Sequence, residues 1–300
     1  MKTKFRVLIV GIFFSLWWNV SAAQPALEVQ TMLTSEDSLY ANITLIKGEK
    51  NMVLVDVPFT RSDTHRLIAD ILETGKHLET VIITHDHPDH FFGLDLLMDT
   101  FPETKVVAHP QVVRDIWRSI PIKFKRWNPM LGNQAPHHPA VPDAAVEQDG
   151  AYGVDLEGHR VEILGPMQGD HVHATAVWVP SIKALVAGDL IYNGMFLWLG
   201  EHLAPQRLAW RKVLDELEAL KPEIVVAGHK QQGMPDDMSS IRFSKHYLDV
   251  FEELVAVSKD SKDLAARLRK AFPDAIDVVN DFLITYSTQV AMGEIPPWDE

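Results

Sequence analysis

The chain has 300 residues, of which 46% are hydrophobic, and this content is enough to bury a sizeable core in one large domain with an appendage. Its net charge of −13 disfavours nucleic acid and anionic lipid as partners, because both carry negative charge. The sequence contains no cysteine, which excludes disulfides and thiolate ligands, so any metal ion must be held by histidine and carboxylate.

Residues 1–23 have the three-part pattern of a secretory signal peptide. Three lysine or arginine residues precede an apolar run of about a dozen residues and then a stretch of small residues. The run is shorter than the roughly 20 residues that span a bilayer, which disfavours a membrane anchor. Cleavage after Ala22 or Ala23 predicts a periplasmic or secreted protein with no membrane association, and loss of the three cations changes its net charge to −16.

The N-terminal half of the remaining chain begins with strands and continues as an alternation of strands and helices. Predicted strands lie at 26–33, 40–47, 51–57, 80–84 and 105–109, and predicted helices at 62–74, about 90–100 and about 110–119. The first three strands are typical of a meander. Five prolines without a regular period between Pro121 and Pro142 predict a long ordered loop or lid.

The C-terminal half passes from strands to helices. Strand signals return at 159–164, 173–179, 183–188 and 223–228, with an amphipathic helix at 204–220. Everything after about residue 237 is typical of helices, with capping signals at Ser239, Ser261 and Asp274. The pattern predicts a mixed α/β domain over 24–236 and a C-terminal helical extension over 237–300.

A dense group of histidines and aspartates, HDHPDH, follows the strand predicted at 80–84. In an extended segment the side chains at i and i+2 share a face, so His85 and His87 can reach one ion. The proline of the motif forces a turn, beyond which Asp89 and His90 face a second point. An isolated histidine is usually a surface or core residue, but this spacing indicates two pairs of metal ligands.

Two further metal-type residues stand directly after predicted strands. The segment ALVAG runs into Asp189, and EIVVAG runs into His229. Three separate strands thus end in a residue suited to bind metal, and packing alone rarely produces such a repetition. We therefore predict that these strand ends meet at a metal site.

The motifs, in this order, resemble the metallo-β-lactamase fold superfamily of hydrolases over roughly residues 27–236. The resemblance implies a four-layer αββα sandwich, to which the helical extension is added, with two metal ions in a cleft at one edge. It also implies a set of ligands: His85 and His87 for the first metal, Asp89, His90 and His229 for the second, and Asp189 bridging both.

The third ligand of the first metal does not match the family pattern, which has a histidine in a turn here. Aligning from the preceding Gly-Pro places Gln168 at that position, whereas counting back from the proline after the next strand places Asp170 there. Our order of preference is Asp170, then His171, then His173. An aspartate would add negative charge and favour a metal other than zinc.

The chemistry that the resemblance implies follows from two divalent ions, with zinc expected and manganese or iron as alternatives. Such a pair lowers the pKa of a shared water and holds a bridging hydroxide against a carbonyl. Asp89 would orient the hydroxide and pass a proton to the leaving group, and Tyr192 or Asn193 would polarise the carbonyl. The aromatic stretch at 190–202 forms an apolar lip for substrate or packs against the helical extension. Metal and activity should be lost below about pH 6, because protonated imidazole cannot bind metal.

The predicted function is hydrolysis of an ester, a lactone or a thioester. The sequence lacks the Gly-x-Ser-x-Gly and phosphate-loop motifs of other catalytic classes. One alternative is β-lactam hydrolysis, although Asp189 stands where the cysteine-ligand β-lactamases have cysteine. The other is a non-hydrolytic iron-binding or redox protein, or an inactive binding module, on the same scaffold. The expected partner is a small molecule with an apolar part, and the sequence leaves a homodimer open.

Overall fold

The computed structural model describes residues 26–299, so the predicted signal peptide lies outside the described residues. The first sheet contains six strands, which are neighbours in chain order: β1 (Glu28–Leu33), β2 (Asn42–Lys47), β3 (Asn51–Val55), β4 (His77–Ile83), β5 (Lys105–Ala108) and β6 (Asp143–Ala144). The first three strands form the predicted antiparallel meander, and the pairs from β3 to β6 are parallel.

The later strands form a second sheet and a short strand pair. They are β7 (Glu147–Gln148), β8 (Ala151–Leu156), β9 (His159–Met167), β10 (Ala174–Val179), β11 (Ala184–Val186), β12 (Tyr192–Asn193), β13 (Ile224–Val226) and β14 (His229–Lys230). The second sheet has the order β13-β11-β10-β9-β8-β7, and β12 pairs with β14 beside it. Because β11 and β13 are parallel, their carboxyl ends lie at the same edge.

Seven helices complete the described chain: α1 (Arg61–Thr74), α2 (Leu94–Thr100), α3 (Pro110–Leu131), α4 (Ala204–Ala219), α5 (Ser239–Val255), α6 (Ser261–Ala271) and α7 (Phe282–Ala291). Among residues 26–299, none of the helices combines the length and the apolar character that crossing a membrane requires.

Three apolar layers hold these elements together as the predicted αββα sandwich. Side chains such as Val53 and Val177 pack between the two sheets. Helices α1, α2 and α3 cover the outer face of the first sheet. Helices α4 to α7 share one buried cluster with the second sheet, to which Trp210 and Phe251 contribute. The predicted fold class and the C-terminal helices are thereby confirmed, while the boundary at residue 237 stays a prediction.

The proline-rich segment differs from its prediction as a loop. Helix α3 continues through Pro121 and Pro129 to Leu131. A proline inside a helix removes one backbone hydrogen bond and crowds the preceding turn. This cost is opposed by burial of an apolar stripe at 112, 116 and 120, which continues with the partly buried residues 124, 127 and 131. The helical spacing of the stripe, rather than the prolines, decides the structure.

Two other helix starts were predicted at the wrong residue. Residues Pro88–His90 form a single 3-10 turn, and α2 begins only at Leu94. In the described part of the chain no helix begins at Asp274, and the α-helix that follows α6 starts only at Phe282. In both places the backbone makes a turn that the apolar spacing of the sequence does not reveal.

Candidate metal centre

The structure brings the predicted ligands together in two adjoining buried groups. The first contains His85, His87, Asp170 and Asp189, and the second contains Asp89, His90 and His229. Within each group the ligand atoms all lie within 4.8 Å of one another. Asp189 also reaches the second group, since its Oδ1 is 3.2 Å from His90 Nε2 and its Oδ2 is 3.1 Å from His229 Nε2.

Both sheets deliver these residues at one edge of the sandwich. The HDHPDH loop follows β4 of the first sheet, whereas Asp189 and His229 follow β11 and β13 of the second. A side chain at Gly228 would overlap Asp189 Oδ1, and one at Gly188 would stand 2.7 Å from Thr84 Oγ1. The glycines before the two ligands are thus required for the close approach of the loops.

Two histidines present Nε2 to the centre because their Nδ1–H groups are held elsewhere. His229 donates from Nδ1 to the Leu39 carbonyl at 2.8 Å, and His90 donates to Asp56 Oδ2 at 2.8 Å. The same carboxylate accepts hydrogen bonds from the backbone and side chain of Thr84, each at 2.8 Å. Each histidine therefore directs its Nε2 at the carboxylates of the centre, and this nitrogen is the one available to a metal ion.

His85 and His87 use opposite nitrogens. The Thr84 hydroxyl donates to Asp56, so its oxygen is free to accept the hydrogen bond from His85 Nδ1 at 2.9 Å, and Nε2 faces the centre. His87 instead donates from Nε2 to Glu201 Oε1 at 2.8 Å, which leaves its Nδ1 3.4 Å from Asp170 Oδ2. Glu201 thereby orients the one histidine that presents Nδ1.

Of the three residues considered as third ligand of the first metal, Asp170, the one preferred from the sequence, lies in the first group. It is fully buried, and its Oδ2 accepts a hydrogen bond of 2.7 Å from the Tyr192 hydroxyl. The alternatives lie against other carboxylates: His171 Nε2 is 3.1 Å from Asp86, and His173 Nδ1 is 2.7 Å from Asp115. The side chain of Gln168 donates to the neighbouring Gly169 carbonyl.

Several contacts in the two groups are unfavourable unless a cation is bound. His90 Nε2 and His229 Nε2 lie 3.3 Å apart, and two lone pairs this close repel unless a proton or a metal ion lies between them. Three further buried atoms, His85 Nε2, Asp170 Oδ1 and Asp189 Oδ1, have no hydrogen-bond partner within residues 26–299. Such orphaned atoms are costly in a native interior, and a metal ion satisfies them.

The electrostatics of the metal-free centre are strongly perturbed. Burial alone would lower the pKa of His229, but the Asp189 and Asp89 carboxylates raise it to about 10. The pKa of His90 is also raised, against the effect of burial, by Asp189 and Asp89. Burial and the neighbouring Asp189 charge raise the pKa of Asp170 well above its usual range. Without metal, the centre therefore holds protons that bound cations would replace.

Three residues that support the ligands, Asp56, Glu201 and Lys123, were not predicted from the sequence. Asp56 follows β3 directly, so it has the same position after a buried strand that identified Asp189 and His229. Glu201 and Lys123 have no comparable signal, because they contact His87 and Asp86 from segments far away along the chain.

Side chains of the aromatic stretch at 190–202 serve both of the roles considered for it, packing against the helical extension and lining the cavity. Met195 and Phe196 are buried in the cluster with the C-terminal helices. Tyr192 and Trp198 line the cavity at the metal centre, as does Trp127 of α3. The stretch therefore packs against the extension and also forms part of the cavity wall.

A family model described as the metallo-beta-lactamase superfamily matches residues 37–229, which is more than half of the chain. The chain belongs to this superfamily. In one solved member, the DIM-1 metallo-beta-lactamase exposed to ceftazidime, 99% of the chain aligns with 76% of this one, at 17% identity and a TM-score of 0.54. In the metallo-beta-lactamase from Pontibacter korlensis, 99% aligns with 75% of this chain, at 16% identity and a TM-score of 0.52. At these identities the likeness shows the superfamily fold alone.

A curated relative is similar over a shorter stretch. The uncharacterized protein YobT of Bacillus subtilis (strain 168) is 35% identical over 66 residues, which are 22% of this chain and 28% of the relative. The match thus spans under a third of the relative's length.

Proposed function

We propose that the chain is a hydrolase that holds two divalent metal ions, preferably zinc, and cleaves an ester, a lactone or a thioester. The observation that carries this proposal is the convergence of seven buried histidine and aspartate side chains in two adjoining groups. The four imidazoles suit zinc, whereas the carboxylates, Asp170 among them, also suit manganese or iron, which are therefore the alternatives. Bound there, the two ions would supply a water of lowered pKa as nucleophile and positive charge beside the carbonyl oxygen.

Asp89 is the residue to which we assign proton transfer. It lines the cavity at the metal centre, and its Oδ2 lies 3.3 Å from His229 Nε2. In the reaction, the oxygen of water bonds to the carbonyl carbon and the carbon–oxygen or carbon–sulfur bond breaks. Asp89 carries the proton of that water to the leaving alcohol or thiol, so that acid and alcohol or thiol are released.

Tyr192 receives a positioning role in this proposal. Its hydroxyl donates to Asp170 Oδ2 at 2.7 Å and lies 3.3 Å from Asp189 Oδ2. Its single proton is therefore directed at the two carboxylates and away from a substrate carbonyl. Tyr192 would hold both carboxylates in place for the metal ions.

The cavity at the centre suits an uncharged substrate. This metal cavity is lined by ligands of both groups and by apolar side chains including Leu39, Pro88, Trp198 and Leu283. Its walls, as far as residues 26–299 form them, include no lysine or arginine. Substrates that carry a carboxylate near the reacting carbonyl, as β-lactam antibiotics do, would find no cationic side chain there.

A hydrolysis panel tests the proposal. Lactones, aryl esters, thioesters and β-lactams are assayed with protein loaded with zinc, manganese or iron, beside Asp189→Ala and the exposed-histidine control His138→Ala. We expect the wild type to hydrolyse at least one of the esters, lactones or thioesters. This activity should fall at least about 1,000-fold in Asp189→Ala and after removal of metal by a chelator, and it should be unchanged in His138→Ala. Hydrolysis that survives chelation, or a metal-loaded protein that cleaves none of the panel, contradicts the proposal.

Export is part of the proposal and has its own test. The signal-like pattern at 1–23 predicts a mature chain that begins after Ala22 or Ala23. Expression of the full sequence in a bacterium with a periplasm, followed by N-terminal sequencing of the periplasmic protein, should give that start. An uncleaved chain in the cytoplasm would refute it.

A further inference from the structure

A second, larger cavity adjoins the metal cavity. This apolar groove lies between α3 and the C-terminal segment. The two cavities share five lining residues: Leu39, Trp127, Val278, Phe282 and Trp298. The groove and the metal cavity are therefore immediate neighbours, and an arm of a molecule bound at the metal centre would pass these five side chains to enter the groove.

Ten of the sixteen residues that line the groove are apolar or aromatic, and the other six are Asp37, Thr60, Arg126, Gln134, Asn280 and Thr285. Trp127, Met130 and Leu131 of α3 form one side, and Phe282 and Tyr286 of α7 form the other. Met130 is 73% exposed, and Val279 at the same groove is 47% exposed. Apolar side chains exposed together around a cavity are typical of a site that binds an apolar ligand.

Aromatic contacts join the residues that surround the groove. The Arg126 guanidinium lies 4.1 Å from the ring centre of Trp298, which joins α3 to the C-terminal segment. Trp198 stacks on Phe282 at 5.1 Å with an angle of 14° between the rings. Because α3 and the C-terminal segment are tied together in this way, the walls are formed before a ligand arrives.

The charge of the groove restricts its occupant. Asp37 and Arg126 are the two charged residues that line it in the described part of the chain, and the Arg126 side chain already stacks on Trp298. A charged ligand chain would lose its hydration there without gaining a set of partners. An uncharged hydrocarbon chain or ring would meet matching walls.

We propose that the groove binds an uncharged alkyl or aryl arm of the substrate whose carbonyl is cleaved at the metal centre. This inference rests on the proposed function, and it narrows the substrate class to esters, lactones or thioesters with one long apolar arm. The arm belongs to the acyl side or to the alcohol side of the bond. Both have the same apolar chemistry, and the experiment separates them.

Two homologous ester series test the groove with the metal-loaded protein. One is p-nitrophenyl acetate, butyrate, hexanoate and octanoate, and the other is methyl to octyl acetate. We expect kcat/KM to rise about fourfold for each methylene that becomes buried, in one of the two series. The series that shows the rise identifies the side of the bond that the groove holds. If kcat/KM is independent of chain length in both series, the proposal is overturned.

A matched pair of variants on α3 locates the effect. Met130→Glu places a charge in the groove, whereas Ile122→Glu places one on an exposed part of the same helix that does not line the groove. The ratio of octanoate to acetate kcat/KM, or the corresponding ratio for the alcohol series, should fall about tenfold in Met130→Glu, because burial equivalent to between one and two methylene groups is lost. Ile122→Glu should keep the wild-type ratio. Equal ratios in all three proteins would overturn the proposal.

A binding measurement distinguishes failure of this inference from failure of the proposed function. Calorimetric titration with N-decylacetamide and N-ethylacetamide requires no hydrolysis. Tighter binding of the decyl compound, weakened about tenfold by Met130→Glu, supports the groove even if no ester is cleaved. Absence of that preference overturns it even if esters are cleaved. If Met130→Glu instead converts a dimer to a monomer, with unchanged chain-length dependence, the groove is an interface between copies and the proposal fails.

Discussion

Each histidine of the candidate metal centre has one ring nitrogen bound by another group of the protein. The partners are Thr84 for His85, Glu201 for His87, Asp56 for His90 and the Leu39 carbonyl for His229. A ring that is held at one nitrogen cannot rotate, so its other nitrogen keeps a fixed direction. Part of the affinity for metal therefore depends on residues that do not touch the ion.

Asp56→Asn tests this dependence on a residue outside the two ligand groups. The asparagine amide group has one acceptor oxygen where the carboxylate has two, and Asp56 accepts from both Thr84 and His90. We expect zinc to bind about 10- to 100-fold more weakly, measured by competition with a chromophoric chelator. The exposed Asp99→Asn serves as control. Unchanged zinc affinity in Asp56→Asn would mean that the hydrogen bond does not orient His90.

The choice of third ligand can be decided by counting metal ions. Asp170 reaches the first group, whereas His171 lies against Asp86. We expect Asp170→Ala to bind one zinc ion per chain and to lose at least about 100-fold in kcat/KM, while His171→Ala retains two ions. Metal content by mass spectrometry after dialysis gives the answer. One ion in His171→Ala and two in Asp170→Ala would reverse the assignment.

At the scale of elements, α3 links the core, the metal loop and the apolar groove. Its Lys123 is buried and forms an ion pair of 2.9 Å with Asp86, in the middle of the HDHPDH loop. The same ammonium also donates to the Asp86 backbone carbonyl. The helix that covers the first sheet thus also fixes the loop that carries four of the predicted ligands.

Lys123→Met should therefore destabilise the fold and the site together. Removing the cation leaves the Asp86 carboxylate buried, and breaking a buried ion pair typically costs about 3–5 kcal/mol. We expect such a loss in the free energy of unfolding in urea, with Lys125→Met, an exposed lysine of the same helix, as control. Addition of Asp86→Asn to Lys123→Met should restore part of the loss. A single variant as stable as wild type would show that the pair contributes little.

The elements also show why some of the structure was predictable and some was not. Nine of the fourteen strands were predicted, because burial on both faces gives short apolar runs and the polar residue after such a run stands out, as at Asp189. The strands β6, β7, β8, β12 and β14 were not predicted. The length of α3 was not predicted, because its two internal prolines indicated a loop, although the apolar stripe that continues past them is typical of a helix. The contact of Glu201 with His87 joins residues 114 positions apart and depends on tertiary packing alone.

At the scale of the whole molecule, the candidate centre joins the two sheets. His85 and His87 follow a strand of the first sheet, and Asp189 and His229 follow strands of the second. Metal bound by both sets would therefore favour the folded state over the unfolded chain. Each ion stabilises by about 2.7 kcal/mol at a free concentration of 100 times its Kd.

This stabilisation should increase with pH. Burial alone would lower the pKa of His229, but Asp189 and Asp89 raise it to about 10 in the metal-free protein, whereas an unfolded histidine titrates near 6.5. The proton on His229 thus stabilises the metal-free fold fully below about pH 6.5, and this contribution is lost as the pH rises toward 10. Metal must displace the same proton, so its affinity rises about tenfold per pH unit in that window for each proton displaced.

The measurement is the difference in Tm between zinc-loaded and metal-free protein at fixed free zinc, set by a metal buffer, at pH 7 and pH 9. We expect the difference in stability to widen by about 2.7 kcal/mol for each displaced proton, because two pH units change the affinity about 100-fold. In Asp189→Ala, which lacks one of the two carboxylates that raise the pKa of His229, the widening should be smaller than in the wild type. A difference in Tm that stays constant from pH 7 to pH 9 in the wild type would show that the histidines of the metal-free centre are already unprotonated, and that Asp189 and Asp89 do not raise their pKa.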